Sequence, residues 1–492
     1  YAQKAEDLYT SNKALLGRHK MFQALSLHID YLFARVYTRM DQVDSALLHL
    51  KKIQTSLAQK TEDERKDFIG LTSNTLTSLA EVYRRKSQQD SAFIYNQRAI
   101  VDACQTFNNL DYESLPSMED CQSNPQIFYI LNQKAELYQH AALLAEKPEI
   151  KVASLEAGLA TINLMDEVYA KNLKKLNILR GGQSAALIRQ GFEPYQTGIS
   201  LAVQHHKLTK EAASIEKGFY FTQKIKAQQL WLSLLKSEAT QFGELDQLTL
   251  EKERDLLTSI SKIEKEIQKA LAQQDLEKAH LLENDQLFHK QKEYNELQQQ
   301  LETQYPEYYE SKYAFRPESS KSLQPILEDA EALIEYTWKD SSLLIFTLTK
   351  ETPFDVVEVP VHPQTMEKLT ALHNMLKQSS MMRKSSREKF IRLSNQLYRQ
   401  FIQPIEGRIA GKSKLIIIGD RVTNYIPFEA LLISDQVAPF RELDFLIKSY
   451  EISYHYSATL LAKARRKVRV QNEGVYAFAP IYDDKKEEFT PR

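Results

Sequence analysis

The chain has 492 residues, 42% hydrophobic and 26% charged, with only 13 glycines and 15 prolines, which disfavours a turn-rich all-β design and favours long helices. Lys and Arg number 64 against 65 Asp and Glu, a net charge of −1, so no global field draws the chain to nucleic acid or to an anionic membrane. No apolar run approaches the roughly 20 residues of a membrane span, and the length predicts about two or three domains. The chain opens Tyr1-Ala2-Gln3-Lys4, with neither Met nor a signal-peptide pattern, and is therefore read as a mature or excised fragment whose true N-terminus is not in the sequence. A cytoplasmic protein is expected; an exported one is the alternative.

Residues 1–240 are expected to form helical pairs. Three segments share a pattern. The first is Phe33-Ala34-x-x-Tyr37 followed by Ala46-x-x-x-Leu50. The second is Leu79-Ala80-x-x-Tyr83 followed by Ala92 and Ala99. The third is Ala135-x-x-Tyr138 followed by a helix around Val152 to Leu164. A small residue three before Tyr lets the second helix of each pair approach closely. A weaker fourth pair spans Tyr195 to Leu235, with Ala212-Ala213 in the second helix, and Gly181-Gly182 breaks the helices before it. The pattern resembles the tetratricopeptide repeat, whose period is about 34 residues; Ala46 to Ala92 is 46 residues, so the connections here are longer. A non-repeating bundle is the plainer alternative. Stacked repeats present a concave surface, on which a protein substrate or regulator is expected. The only cysteines, Cys104 and Cys121, lie in this region. They read either as two reduced thiols or as one disulfide closing a loop between repeats. His205 and His206 are adjacent on a predicted helix and point to different sides, which does not suit a metal.

Residues 241–312 have a different texture. Leu256, Ile260, Ile263, Ile267 and Ala270 follow 4-3-4-3 spacing, and Leu287, Tyr294, Leu297 and Leu301 continue the seam. This predicts an antiparallel helical hairpin or short coiled coil turning near Gln273 to Asp275. By sequence continuity it joins the helical pairs to the C-terminal region.

Residues 313–492 are expected to be α/β. Ala332 to Trp338, Leu343 to Leu348 and Phe354 to Val359 are β-rich runs separated by turns, a meander. Glu335, Asp355 and Glu358 alternate with apolar residues there and read as the solvent side of the sheet. Two helices follow, about Gln364 to Lys377 and Arg387 to Ile402. Then come a buried strand at Leu415 to Ile418, a strand at Tyr450 to Tyr454, a helix from Ala458 to about Lys463, and a strand at Val475 to Ala479. The basic run Lys463, Arg465, Arg466, Lys467, Arg469 reads as an exposed helix end. His455 is the only histidine within these strands, with the Ser457 hydroxyl two residues away, and reads as a structural or surface residue. There is no His-Glu-x-x-His, no Cys-x-x-Cys and no Gly-rich phosphate loop, so no metal or cofactor is expected.

Six segments in this order resemble a bacterial tetratricopeptide-CHAT protein, a family of caspase-like cysteine peptidases: FTQKIKAQQLWLSL from Phe221, ALIEYTWKDSSLLIFTLTK from Ala332, LYRQFIQPIEGRI from Leu397, LIIIGDRVTNYIPFEALL from Leu415, FLIKSYEISYHYSATLLAKAR from Phe445 and VYAFAP from Val475. Asp420, Pro427, Phe428 and Glu429 carry the family's fold motif. One departure is Gly419-Asp420-Arg421, where the family often has Pro-Asp-Gly. The resemblance implies a fold of α plus α/β: helical repeats and a hairpin, then the N-terminal part of a caspase-like sheet. It also implies a catalytic His and Cys in Thr-His-Gly-like and Ser-Ala-Cys-like settings, the His favouring the thiolate that attacks a peptide carbonyl. Neither setting occurs here, and no cysteine follows Cys121. The expectation is therefore the regulatory N-terminal portion of an endopeptidase, with the dyad on a C-terminal catalytic fragment of the same protein as partner, and Arg492 as a candidate processing site. The alternative is a non-catalytic repeat scaffold with an inactive caspase-like domain. Family members in bacterial defence cleave partners such as gasdermins, so the resemblance allows a gasdermin-like substrate.

Overall fold

The computed structural model describes residues 20–61, 68–104, 106–121, 126–176, 192–226, 247–272, 275–305, 317–339, 342–362, 364–377 and 384–466. The expectations that fall on Gly181-Gly182, on the strand at Val475 to Ala479 and on Arg492 lie outside these residues.

Within the described residues, helices pair in succession: α1 (Lys20–Arg39) with α2 (Val43–Ala58), α3 (Ile69–Arg85) with α4 (Gln89–Ala103), α5 (Ile127–Leu144) with α6 (Pro148–Leu176), and α7 (Phe192–Thr209) with α8 (Ala212–Ile225). Connections of two or three residues within each pair reverse the chain. The turn itself repeats. Asp41 and Ser87 take left-handed backbone (φ 58° and 57°), and the next N–H, of Gln42 or Gln88, donates to the carbonyl of Tyr37 or Tyr83, both at 2.9 Å. This closure satisfies carbonyls that a helix end leaves orphaned. The same tripeptide, Asp-Ser-Ala, follows at 44–46 and 90–92. The expected small residues Ala34, Ala46, Ala80, Ala92, Ala99 and Ala135 are all fully buried. Ala212 and Ala213 are instead exposed. In the last pair the close approach is made by glycine: a Cβ on Gly198 would lie 2.7 Å from the Phe221 ring.

Helix α9 (Gln247–Ala272) returns along α10 (Leu276–Leu281) and α11 (Phe288–Gln304), with a π-helical turn at Leu282–Leu287 between the latter two. Leu256, Ile260, Ile267, Tyr294, Leu297 and Leu301 are buried as the seam predicts; Ile263 is half-buried.

The sheet has the order β3-β2-β1-β4-β5. Strands β1 (Glu331–Lys339), β2 (Ser342–Thr349) and β3 (Asp355–Pro360) form the antiparallel meander. The chain then passes through α12 (Gln364–Leu376) and α13 (Lys384–Phe401) to β4 (Lys414–Ile418), parallel to β1, and on to β5 (Glu451–Tyr454), parallel to β4. Helix α14 (Ala458–Arg466) follows.

Alternation along the strands divides the core. Ala332, Ile334, Tyr336, Leu343, Ile345, Leu415 and Ile417 pack with α12 and α13. Leu333, Leu344, Phe346, Leu348, Ile416 and Ile418 pack on the other side with α14 and with α5 to α8 of the helical array, in one continuous cluster. The array is thus the second covering layer of the sheet, and it meets the sheet directly. This corrects the reading of Glu335 as solvent-facing: it points at the array and is fully buried. Asp355 and Glu358 are partly accessible but paired, with Arg408 and Lys207 respectively.

Candidate functional site at the carboxyl edge of the sheet

Strands β1, β4 and β5 run parallel, so their carboxyl ends share one edge. From β1 the chain leaves toward β2 and β3, and from β4 toward β5. The strand order therefore reverses between β1 and β4. In open α/β sheets the crevice outside the carboxyl ends at such a switch point is where ligands bind. Here it is bounded by Trp338-Lys339 at the end of β1 and Gly419-Asp420 at the end of β4.

Asp420 fastens the two ends together. Its Oδ2 accepts the Trp338 backbone N–H at 2.8 Å. It also caps the 3-10 turn Arg421–Tyr425, in a reciprocal box with Thr423, whose Oγ1 accepts the Asp420 N–H at 2.6 Å. Gly419 is required by crowding: a Cβ there would lie 2.9 Å from the Asn424 backbone nitrogen. Where the family often has glycine after the aspartate, Arg421 adopts the left-handed conformation itself, at φ 49°.

Pro427 begins a second 3-10 turn, Phe428–Ala430, its carbonyl accepting the Ala430 N–H at 2.9 Å. The turn drives Phe428 into the core, fully buried and stacked on Tyr336 with ring centroids 5.4 Å apart. The Phe428 N–H donates to the Tyr454 hydroxyl at 3.1 Å, and that hydroxyl donates to Glu429 at 2.7 Å. Burial and the Glu429 carboxylate push the Tyr454 phenol above its ordinary range. Pro427, Phe428 and Glu429 thus tie β5 to the core and to β1. Asp420 stands apart from them, across the edge, on the backbone of β1.

The array supplies residues that sequence reasoning missed. Lys226, just past α8, donates to the carbonyls of Tyr336, of Gly419 at 3.0 Å and of Ile418 at 3.4 Å, with a Glu335 oxygen 3.5 Å away. The Gln223 amide N–H group reaches both Glu335 oxygens at 2.7 Å, and its oxygen accepts from the Thr459 N–H and hydroxyl, each at 3.1 Å. Burial pushes the Glu335 carboxyl up, against the opposing pull of Lys226. The only sequence signal was that FTQKIK resembles a family segment; nothing in it said that the segment faces a sheet.

Beside this edge lies a cleft of about 410 Å³ between α5, α7 and the end of β1, lined in part by Arg84, Glu136, His140, Leu143, Gln196 and Lys339. Its charges are largely matched locally: Arg84 pairs with Glu81 at 2.8 Å, and Lys339 lies 3.4 Å from Glu358. The lining therefore offers amides, an imidazole and an exposed leucine, a chemistry for polypeptide more than for a strongly charged ligand.

The other sequence candidates fall elsewhere. Among the described residues, the His455 ring has no hydrogen-bond partner, while Ser457 Oγ accepts the Leu460 N–H at 3.1 Å and so caps α14. Burial lowers the His455 pKa, with Arg465 adding to it. His205 bonds Ser214 at 2.7 Å and His206 the Glu211 carbonyl at 2.8 Å. Cys104 and Cys121 are free thiols, buried in the array with their sulfurs 3.9 Å apart. Of the basic run, Arg465 is exposed as expected and also forks onto Glu331 at the start of β1, at 2.6 and 2.7 Å. The edge as described therefore supplies architecture, and no paired nucleophile and base.

Residues 392–489 match the family model of the CHAT domain. No curated protein matches the chain. The matched range begins within α13 and takes in β4, both 3-10 turns that hold Asp420 and Phe428, β5 and α14. That stretch of the chain is a CHAT domain.

Proposed function

We propose that this chain is the scaffolding and regulatory part of a CHAT cysteine endopeptidase that cleaves a protein partner. The observation that carries this reading is the β1/β4 switch point, built by the motif residue Asp420 and opening beside the cleft lined by the helical array. In this reading the thiol and imidazole are supplied by a catalytic fragment of the same protein. The array gathers the protein substrate or regulator. A gasdermin-like substrate and a role in bacterial defence fit the same reading, as does action in the cytoplasm.

The test is covalent labelling. The complete product of the gene and the 492-residue chain are each exposed to an acyloxymethyl ketone carrying an Arg-containing peptide. The complete product is expected to be labelled on a cysteine outside this sequence, and the 492-residue chain to remain unlabelled. Labelling of neither protein favours a non-catalytic repeat scaffold. Labelling of Cys104 or Cys121 overturns the assignment of the nucleophile.

A further inference from the structure

Helix α8 stops at Ile225, and Lys226 turns to extended backbone (φ −73°, ψ 138°). That turn delivers a lysine that is only 7% exposed to the sheet. The β1–β4 ladder ends at the pair Glu335–Ile418. Tyr336 and Gly419 lie just beyond the last pair, where the two strands part. An ammonium has three donors, and the three carbonyls it meets are those of Tyr336, Ile418 and Gly419. A buried ammonium is tolerated only when it is so paired, and the nearby Glu335 carboxylate supplies the countercharge. The next residue after Gly419 is Asp420, which holds the Trp338 N–H.

The same helix is coupled to the cleft. Gln196, Thr197, Ile199 and Ser200 of α7 line it. Gly198, in the middle of that stretch, admits the Phe221 ring of α8 so closely that even a Cβ would collide. Helix α7 cannot shift toward α8 without moving the element that carries Gln223 and Lys226.

We infer that Lys226 is a positioning residue: it sets the backbone of the carboxyl edge at Gly419-Asp420, and makes that backbone responsive to what occupies the cleft between α5 and α7. This rests on the edge being the functional one. Its test needs no turnover, so it can fail while the peptidase reading stands, and the reverse.

The 492-residue chain is compared with Lys226→Met and with Lys207→Met, a change that removes a different array-to-sheet ion pair, on β3. Hydrogen exchange is followed by mass spectrometry. The Lys226→Met chain is expected to exchange the amides of Trp338, Asp420 and Thr423 at least about tenfold faster, with peptides of α5 and α6 unchanged, as a local opening requires. Lys207→Met should leave those amides alone. A second readout is acrylamide quenching of Trp338 in a Trp231→Phe background, which should rise severalfold in Lys226→Met only. If Lys226→Met fails to fold, Lys226→Gln, which keeps a donor but loses the charge, is scored in the same way. Unchanged exchange at the three amides overturns the inference. So does a uniform acceleration that includes α5 and α6, because Lys226 would then be a bolt for the whole molecule and not a setting for its edge.

Discussion

Arg421 sits at φ 49°, where an L side chain crowds its own carbonyl at a cost of roughly 1–2 kcal/mol. Its side chain is exposed, so little packing is lost on removing it. Arg421→Gly should therefore stabilise the chain, by about 1 kcal/mol after the extra freedom glycine gives the unfolded state. Urea denaturation checks this; a lower midpoint would mean that the arginine makes a contact worth more than the strain. Lys134 behaves differently. It is buried in the array, donating to Gln97 at 2.7 Å and to the Ser114 carbonyl at 2.9 Å, and burial lowers its pKa from 10.5 to about 7. Between those values the unfolded chain holds a proton that the folded chain releases. The unfolded state then binds more protons, and stability rises with pH across that window. Unfolding midpoints taken from pH 7 to 10 should climb in the native chain, and climb less in Lys134→Met.

At the scale of elements, the helices and the meander were legible because their periods are local. Ala34, Ala80 and Ala135 stand three before a tyrosine and all are buried; β1 to β3 pair as neighbouring runs do. What could not be read was which element covers which. Glu335 alternates with apolar residues just as a solvent-facing strand residue does, and only the array on that face makes it buried. Motif residues fared in a related way. Asp420 and Phe428 were identifiable by resemblance, but the partners that explain them, Trp338 and Tyr336, lie more than eighty residues away in sequence. In the last helix pair the alanines drew attention while Gly198 made the contact. Gly198→Ala should force α7 and α8 apart, at a cost of about 1–3 kcal/mol for overpacking. Since Gly198 is buried at the pair's interface, the loss should appear in thermal unfolding of the array. The same change at Gly407, which meets nothing within 4 Å, should cost no stability.

At the scale of the whole molecule, array and sheet share a core and also an outer ion pair. Burial raises the Glu358 carboxyl, but the bonds from Lys207 and Ser342 outweigh it and hold the pKa down at about 2. The folded value is depressed, so this contribution is complete above about 4.5, the ordinary value, and is lost as pH falls toward 2. Apolar burial contributes more. Leu333, Leu344, Phe346, Leu348, Ile416 and Ile418 face the array, and each buried side chain of this kind is worth about 1.5–3 kcal/mol. Even with α14 still covering part of that face, removing the array gives back on the order of 10 kcal/mol, the whole stability of an ordinary domain, and returns the Glu335 carboxylate to water without Lys226. A chain of residues 313–492 expressed alone should therefore be expanded or aggregated, binding a hydrophobic dye and lacking a cooperative thermal transition. Beginning the chain at residue 192 restores α7, α8, Gln223 and Lys226, and should recover much of that transition. A monodisperse 313–492 chain with a sharp transition of its own would show that the sheet does not depend on the array, and that the shared cluster is contact without cooperativity.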